Sequence, residues 1–315
     1  MGSNREFHYD AARIASERQE SYNFPHRLDL CRVSNLMKFL PSILGLMLLA
    51  GCAGGPPIDH SYTSIAQDSR VHYVILHYTE GDFPRALQVL TRGGVSSHYL
   101  ISDRPAQIYQ LVDENRRAYH AGVSAWKSDA QLNFSSIGIE LVNPGYRDTP
   151  EGRVYFAYPP EQIALLIDLL KQIVVRHQIA PDRILGHNEI APQRKSDPGP
   201  MFPWQRLAQA GLVPWPDAGQ VALRRAAFEQ QLPNAFWFQR KLAVHGYVLP
   251  CSGLWDDATR QVLVAFQMKY RPGRFDGLPD AETAALLDVL TSGQEAAPAG
   301  AGNAMPPACA AHTAP

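Results

Sequence analysis

The chain has 315 residues, 45% of them hydrophobic and 19% charged, with a formal net charge of −1. That length predicts roughly two domains, and that composition supports a sizeable apolar core. Balanced charge with no basic run argues against a polyanion binder, so no nucleic-acid partner is expected.

Residues 1–36 are polar, with scattered charges and no clear periodicity. They read as an upstream extension, disordered or not translated, because a complete secretory signal begins at Met37. Residues 37–51 give a short basic start, an apolar run and small residues, too short to span a bilayer core of ~30 Å as a helix. The ending Leu49-Ala50-Gly51-Cys52 resembles a bacterial lipobox, which implies acylation of Cys52 and a lipid anchor in the membrane. Ala53 follows that cysteine, and by the same resemblance this favours an outer-membrane lipoprotein facing the periplasm. Residues 52–69 are anchor and linker, with Gly54-Gly55-Pro56-Pro57 as a flexible tether.

Residues 70–217 carry the pattern of one folded domain. The β-branched and aromatic run 71–78 predicts a strand, followed by a short helix near 84–91. Strands are expected at 97–101 and 107–112 around a Pro-containing turn, and at 136–142 before Asn143-Pro144-Gly145. Ile163, Leu166, Ile167, Leu170, Ile173 and Val174 recur at helical spacing and predict a helix over 160–177, with Pro160 in its first turn. A short strand at 184–187 leads into a Pro- and Gly-rich loop, 188–204. Strands interleaved with helices indicate an α/β (α+β) fold, a central mixed β-sheet flanked by helices.

The character changes near Leu223. Gly253-Leu254-Trp255-Asp256-Asp257-Ala258-Thr259 and Gly277-Leu278-Pro279-Asp280-Ala281-Glu282-Thr283 form an internal repeat, each followed by an apolar helical run. Residues 223–291 therefore read as a small helical domain, and 292–315 as a disordered tail rich in Ala, Pro and Gly. The cysteines Cys31, Cys52, Cys251 and Cys309 lack the spacing of a zinc knuckle or redox motif. Cys251 and Cys309 could pair in an oxidising compartment, although Cys309 lies in a tail with little to hold it.

Two histidines at strand ends, His77 and His187, and Asp197 in a proline-braced loop could supply three metal ligands and leave an open position. Residue types alone do not single these two out among 11 histidines; a histidine at a strand end is more often a polar residue at a sheet edge. Five ordered motifs do more. Val74-Ile75-Leu76-His77-Tyr78-Thr79, Ser96-Ser97-His98-Tyr99-Leu100, Ala118-Tyr119-His120-Ala121-Gly122, Ser136-Ile137-Gly138-Ile139-Glu140-Leu141 and the stretch from Gly186-His187 through Gln193-Arg194-Lys195-Ser196-Asp197-Pro198-Gly199-Pro200 appear in this order. Together they resemble the zinc-dependent N-acetylmuramoyl-L-alanine amidases of the type-two family, over roughly residues 70–215. That fold is shared with peptidoglycan recognition proteins and some phage endolysins.

The resemblance implies one Zn²⁺ per chain on His77, His187 and Asp197, a catalytic carboxylate at Glu140, and Lys195 near the developing oxyanion. His120 is a candidate substrate contact with a structural role as the alternative. Tyr78 and Arg194 flank ligands and are candidates for supporting them or touching substrate. His98 reads as structural and His72 as a surface residue. Peptidoglycan or muropeptides are the implied partner, cut between N-acetylmuramic acid, or its 1,6-anhydro form, and L-Ala; a monomer is expected. The C-terminal pieces Phe238-Gln239-Arg240-Lys241-Leu242, Gly246-Tyr247 and Ala265-Phe266-Gln267 resemble a three-helix peptidoglycan-binding domain. Two other functions compete: a recognition protein without catalysis, and a zinc peptidase acting within the stem peptide. Recognition proteins of this fold that only bind typically lack the third ligand, which Asp197 supplies here.

Overall fold

The computed structural model of the chain describes residues 58–293 and Cys309. The expected extension at 1–36, the signal peptide at 37–51, Cys52 and most of the expected tail at 292–315 lie outside the described residues. Residues 58–63 carry no helix or strand, and the described residues from Ser64 onward pack as one unit.

The run beginning at Val71 forms strand β1 (Tyr73–Tyr78), buried along its whole length. Asp82 caps helix α1 (Phe83–Arg92), its carboxylate accepting from the Arg85 N–H at 3.0 Å. Strands β2 (Tyr99–Ile101) and β3 (Ile108–Gln110) are shorter than their apolar runs, which continue as the single bonds His98 N–H to Gly138 O and Leu111 N–H to His98 O. A small hairpin, β4 (Ala125–Trp126) and β5 (Asp129–Ala130), has no periodicity to announce it. Then come β6 (Ser136–Leu141), a second hairpin of β7 (Tyr146–Thr149) and β8 (Gly152–Tyr155), and α2 (Pro160–His177) at its expected bounds. Strand β9 (Ile184–Gly186) runs directly into α3 (His187–Ile190), so His187 opens a short helix instead of ending a strand. Helix α4 (Trp204–Gln209) closes the Pro-rich loop.

The five-stranded sheet has the order β3-β2-β6-β1-β9. Strands β1, β6, β9 and β2 pair in parallel and β3 joins antiparallel, giving the expected mixed sheet. Alternation sorts the side chains of each strand onto two faces. Val74, Leu76, Ile137 and Ile139 pack beneath Ile163, Leu166 and Leu170 of α2. Tyr73 and Ile75 enter the other cluster, which holds Trp126, Leu185 and side chains from the C-terminal helices. His77 and Glu140, by the same alternation, belong to this second face.

The C-terminal part adds α5 (Ala218–Gln230), α6 (Ala235–His245), α7 (Asp257–Tyr270) and α8 (Ala281–Thr291). Helix α5 starts ahead of the compositional change at Leu223. The internal repeat is a hydrogen-bonding unit. Gln239 donates to Leu254 O at 2.9 Å and Thr259 Oγ1 at 2.8 Å, and accepts from the Gly253 N–H at 2.8 Å. Gln267 makes the same three bonds to Leu278, Thr283 and Gly277. Both glycines are left-handed, with φ of 75° and 71°, which explains why glycine heads each copy. Asp256 and Asp280 then cap α7 and α8.

Two features tie these helices to α3 and to the β4–β5 hairpin. Lys269 of α7 donates to both carboxylate oxygens of Glu189 at 3.0 Å, a pair that is almost wholly buried. Trp126 packs so closely over Gly246 that a Cβ there would lie 2.4 Å from the indole. Cys251 is bridged to Cys309, with a Cα–Cα distance of 5.1 Å. Cys309 is buried in the same cluster as Phe238 and Phe266, so this residue of the tail is held.

Candidate metal centre and active site

His77 sits near the end of β1, His187 begins α3 directly after β9, and Asp197 lies in the loop between α3 and α4. Because β9 is the neighbour of β1, both histidines emerge at the same end of the sheet. The loop brings Asp197 to them through several braces. Its carbonyl accepts from the Asn188 N–H at 2.8 Å, and Tyr158 donates from its hydroxyl to Pro198 O at 2.8 Å. Tyr78 and Ser196 share a hydroxyl–hydroxyl bond of 2.8 Å. The Asp197–Pro198 peptide is cis.

The three side chains converge. His77 Nδ1 lies 3.0 Å from His187 Nδ1 and 2.9 Å from Asp197 Oδ2, and His187 Nδ1 lies 3.0 Å from the same oxygen. All three residues are buried. Among the described residues this is the one group of His, Cys, Asp and Glu side chains placed to hold a metal ion.

The protonation of the donors fits a cation. His187 Nε2 lies 3.1 Å from Ala121 O, nearer than the 3.4 Å to Arg194 Nη2; donation to that carbonyl puts the proton on Nε2 and leaves Nδ1 its lone pair. Burial, aided by His187 and opposed by Asp197, brings His77 down to about 4. Neutral imidazoles and an ionised carboxylate are the forms that ligate a metal, and two nitrogens with one oxygen suit Zn²⁺.

A cavity of about 270 Å³ opens over this cluster, lined also by Glu140, Lys195, Tyr119 and Arg85. Glu140 is the register partner of His77 across β1 and β6. Burial and the neighbouring Asp197 push its carboxyl well above the ordinary range, with Lys195 opposing. Its Oε2 is buried and has no hydrogen-bond partner among the described residues. A carboxylate held this way favours a proton and has an oxygen free to exchange one.

The other expected site residues divide. Tyr78 lines the cavity, but its hydroxyl is engaged with Ser196. His120 lines it too, with its ring against His77 at 3.1 Å. Arg194 lies outside this cavity, in a groove of about 880 Å³. It donates to the carbonyls of Ala121 and Val123, lashing the Asp197 loop to the chain that follows His120. His98 is fully buried, accepting from the Gly138 N–H and hydrogen-bonded to Arg116 O, both at 3.0 Å, while His72 is exposed. Sequence reasoning assigned no role to Ser136 and Ser196, although both lie within the quoted motifs, nor to Tyr158, which lies outside all five.

Comparison with known proteins agrees with this geometry. Residues 67–200 match the family described as N-acetylmuramoyl-L-alanine amidase. The chain is 40% identical over 271 residues to N-acetylmuramoyl-L-alanine amidase AmiD of Escherichia coli K12, covering 81% of this chain and 98% of that protein. The solved complex of E. coli AmiD with the substrate anhydro-N-acetylmuramic acid-L-Ala-D-gamma-Glu-L-Lys superposes with a TM-score of 0.69 at 39% identity, covering 75% of this chain and 94% of that one. AmpDh3 from Pseudomonas aeruginosa superposes with a TM-score of 0.71 at 38% identity, covering 77% of this chain and 100% of that one. This chain belongs to the N-acetylmuramoyl-L-alanine amidase family.

Proposed function

We propose that this chain hydrolyses the amide between the lactyl group of N-acetylmuramic acid, or its 1,6-anhydro form, and L-Ala of the stem peptide, using one zinc on His77, His187 and Asp197. The observation that carries the reading is the single cavity in which three convergent donor atoms meet an unpartnered Glu140 oxygen. When bound there, zinc supplies Lewis-acid polarisation of the amide and brings the pKa of water toward ~7.

The chain's own groups do the rest. Glu140 takes the proton from the attacking water and delivers it to the leaving nitrogen, so that the peptide departs as an amine. Its raised affinity for a proton suits it to both steps. Lys195 sets a positive charge beside the carbonyl oxygen, where negative charge develops; such a donor is typically worth on the order of 10²–10³ in rate. The buried ring of His120 and the braced Tyr78 shape the wall of the site, and Arg194 holds the loop that carries Asp197.

Outside the described residues, Cys52 is proposed as the lipid anchor of an outer-membrane protein facing the periplasm. The Cys251–Cys309 bridge supports an oxidising compartment. Residues 223–291 are proposed to contact peptidoglycan, raising the local concentration of substrate.

Digestion of purified sacculi, with products read by mass spectrometry, tests the reaction. The expected products are a free lactyl carboxylate and a stem peptide with an L-Ala amine. A stem cut between its own residues would favour a peptidase, and no cut at all would favour a binding protein.

A further inference from the structure

The side of β6 that faces the metal centre carries Ser136, Gly138 and Glu140, while Ile137, Ile139 and Leu141 face α2. The imidazole of His120 lies against this side. A Cβ on Gly138 would stand 2.4 Å from His120 Cγ, so the ring occupies space that only glycine leaves. The backbone beneath the ring is fixed as well. Asn133 Oδ1 accepts from the N–H groups of His120 and Ala121 at 3.0 and 2.7 Å.

The hydrogen bonds around this ring have one consistent direction. Ser136 Oγ lies within reach of Leu132 O, a carbonyl that can only accept, so the serine hydroxyl donates there. The serine oxygen then has only lone pairs left for His120 Nε2, 3.3 Å away. A neutral ring that donates from Nε2 has a bare Nδ1. That Nδ1 faces His77 Nε2 at 3.1 Å and accepts a hydrogen bond from its N–H. His77 therefore carries its proton on Nε2 and offers the Nδ1 lone pair to the cluster. Without this acceptor, the opposite tautomer gains: His77 would donate from Nδ1 to Asp197 Oδ2, only 2.9 Å away, and remove both groups as ligands.

We propose that His120, anchored by Ser136 and seated on Gly138, is a positioning residue that keeps the His77 proton on Nε2 and so leaves the Nδ1 lone pair for the metal. The proposal rests on the metal-centre reading above. Groups that accept the second N–H of a ligating histidine typically change metal affinity 10–100-fold when removed.

The test uses the purified chain with zinc alone as the probe. Zinc affinity is measured by chelator competition, and the His77 tautomer in the metal-free protein by long-range ¹H–¹⁵N NMR. His120→Leu, which has no acceptor, is expected to weaken zinc about 10–100-fold and to shift the His77 proton toward Nδ1. His120→Gln, whose amide oxygen can accept, is expected to stay close to the parent. Unchanged affinity in His120→Leu, or equal losses in the two variants, would overturn the proposal. Should His120→Leu fail to fold, Ser136→Ala carries the test, and a His77 proton still confined to Nε2 would overturn it. No muropeptide enters these measurements, so a chain that binds zinc in this manner yet cuts no amide would sink the amidase reading alone.

Discussion

His77 and Glu140 are register partners across the parallel strands β1 and β6, on the same face of the sheet. On the proposed reading, one strand thus delivers a metal ligand and its neighbour the proton carrier. The relation is built into a rigid sheet, which suits a general base whose reach must be correct to a few tenths of an ångström.

The first prediction follows from that division of labour. Glu140→Ala should bind zinc as the parent does and lose on the order of 10²–10⁴ in turnover of muropeptides. Metal content and product formation measured on the same preparation check it. Full activity would remove Glu140 from the mechanism.

Gly138→Ala tests the fit of His120 against the sheet. The added methyl would meet the His120 ring at 2.4 Å, and the ring is braced on both sides by Ser136 and His77. The substitution should displace the ring and lower zinc affinity, read by chelator competition, more than it lowers the unfolding free energy of the metal-free chain. Affinity equal to the parent's would show that the site tolerates a shifted His120.

The buried Lys269–Glu189 pair predicts a stability effect far from the chemistry. Lys269→Ala would leave the Glu189 charge buried without its partner, and breaking such a pair costs about 3–5 kcal/mol. Denaturant unfolding should show this loss. A double change to Met and Leu should recover part of it, although Glu189 would no longer accept from the Gly186 N–H at 2.7 Å. A loss within ~0.5 kcal/mol, as for an ordinary surface change, would contradict the role given to the pair.

Glu114 predicts a pH dependence. Burial raises its carboxyl, but hydrogen bonds from Arg176, Tyr99 and His177, with the Arg176 charge, bring it down to about 2. A depressed folded-state value means stability that is present above the ordinary 4.5 and is lost as pH falls toward about 2. The stability gap between the parent and Glu114→Gln should therefore be widest above pH 4.5 and close as pH drops through that window. A gap that does not change with pH would show that this carboxylate is not what holds the end of α2.

Much of this architecture is legible in the sequence because its signals are local. The apolar spacing of Ile163, Leu166 and Leu170 sets α2, and the Gly–Leu and Thr repeats mark turns that Gln239 and Gln267 clamp. The alternation of Ser136, Gly138 and Glu140 with Ile137, Ile139 and Leu141 shows which side of β6 is reserved for the site. Other features have no local signal. The hairpins β4–β5 and β7–β8 rest on cross-strand and tertiary contacts, with Trp126 held by Gly246, over a hundred positions away. The convergence of His77, His187 and Asp197 depends on β9 lying beside β1, which periodicity does not reveal. The burial of Cys309 beside Cys251 is likewise a matter of tertiary packing.

The most direct measurement is zinc bound per chain after exhaustive dialysis, compared between the parent and His187→Ala. The account predicts one zinc for the parent and a marked loss for the variant, with the fold retained by circular dichroism. One zinc retained by His187→Ala would mean that the ion sits elsewhere, and the assignment of His77, His187 and Asp197 would fall with it.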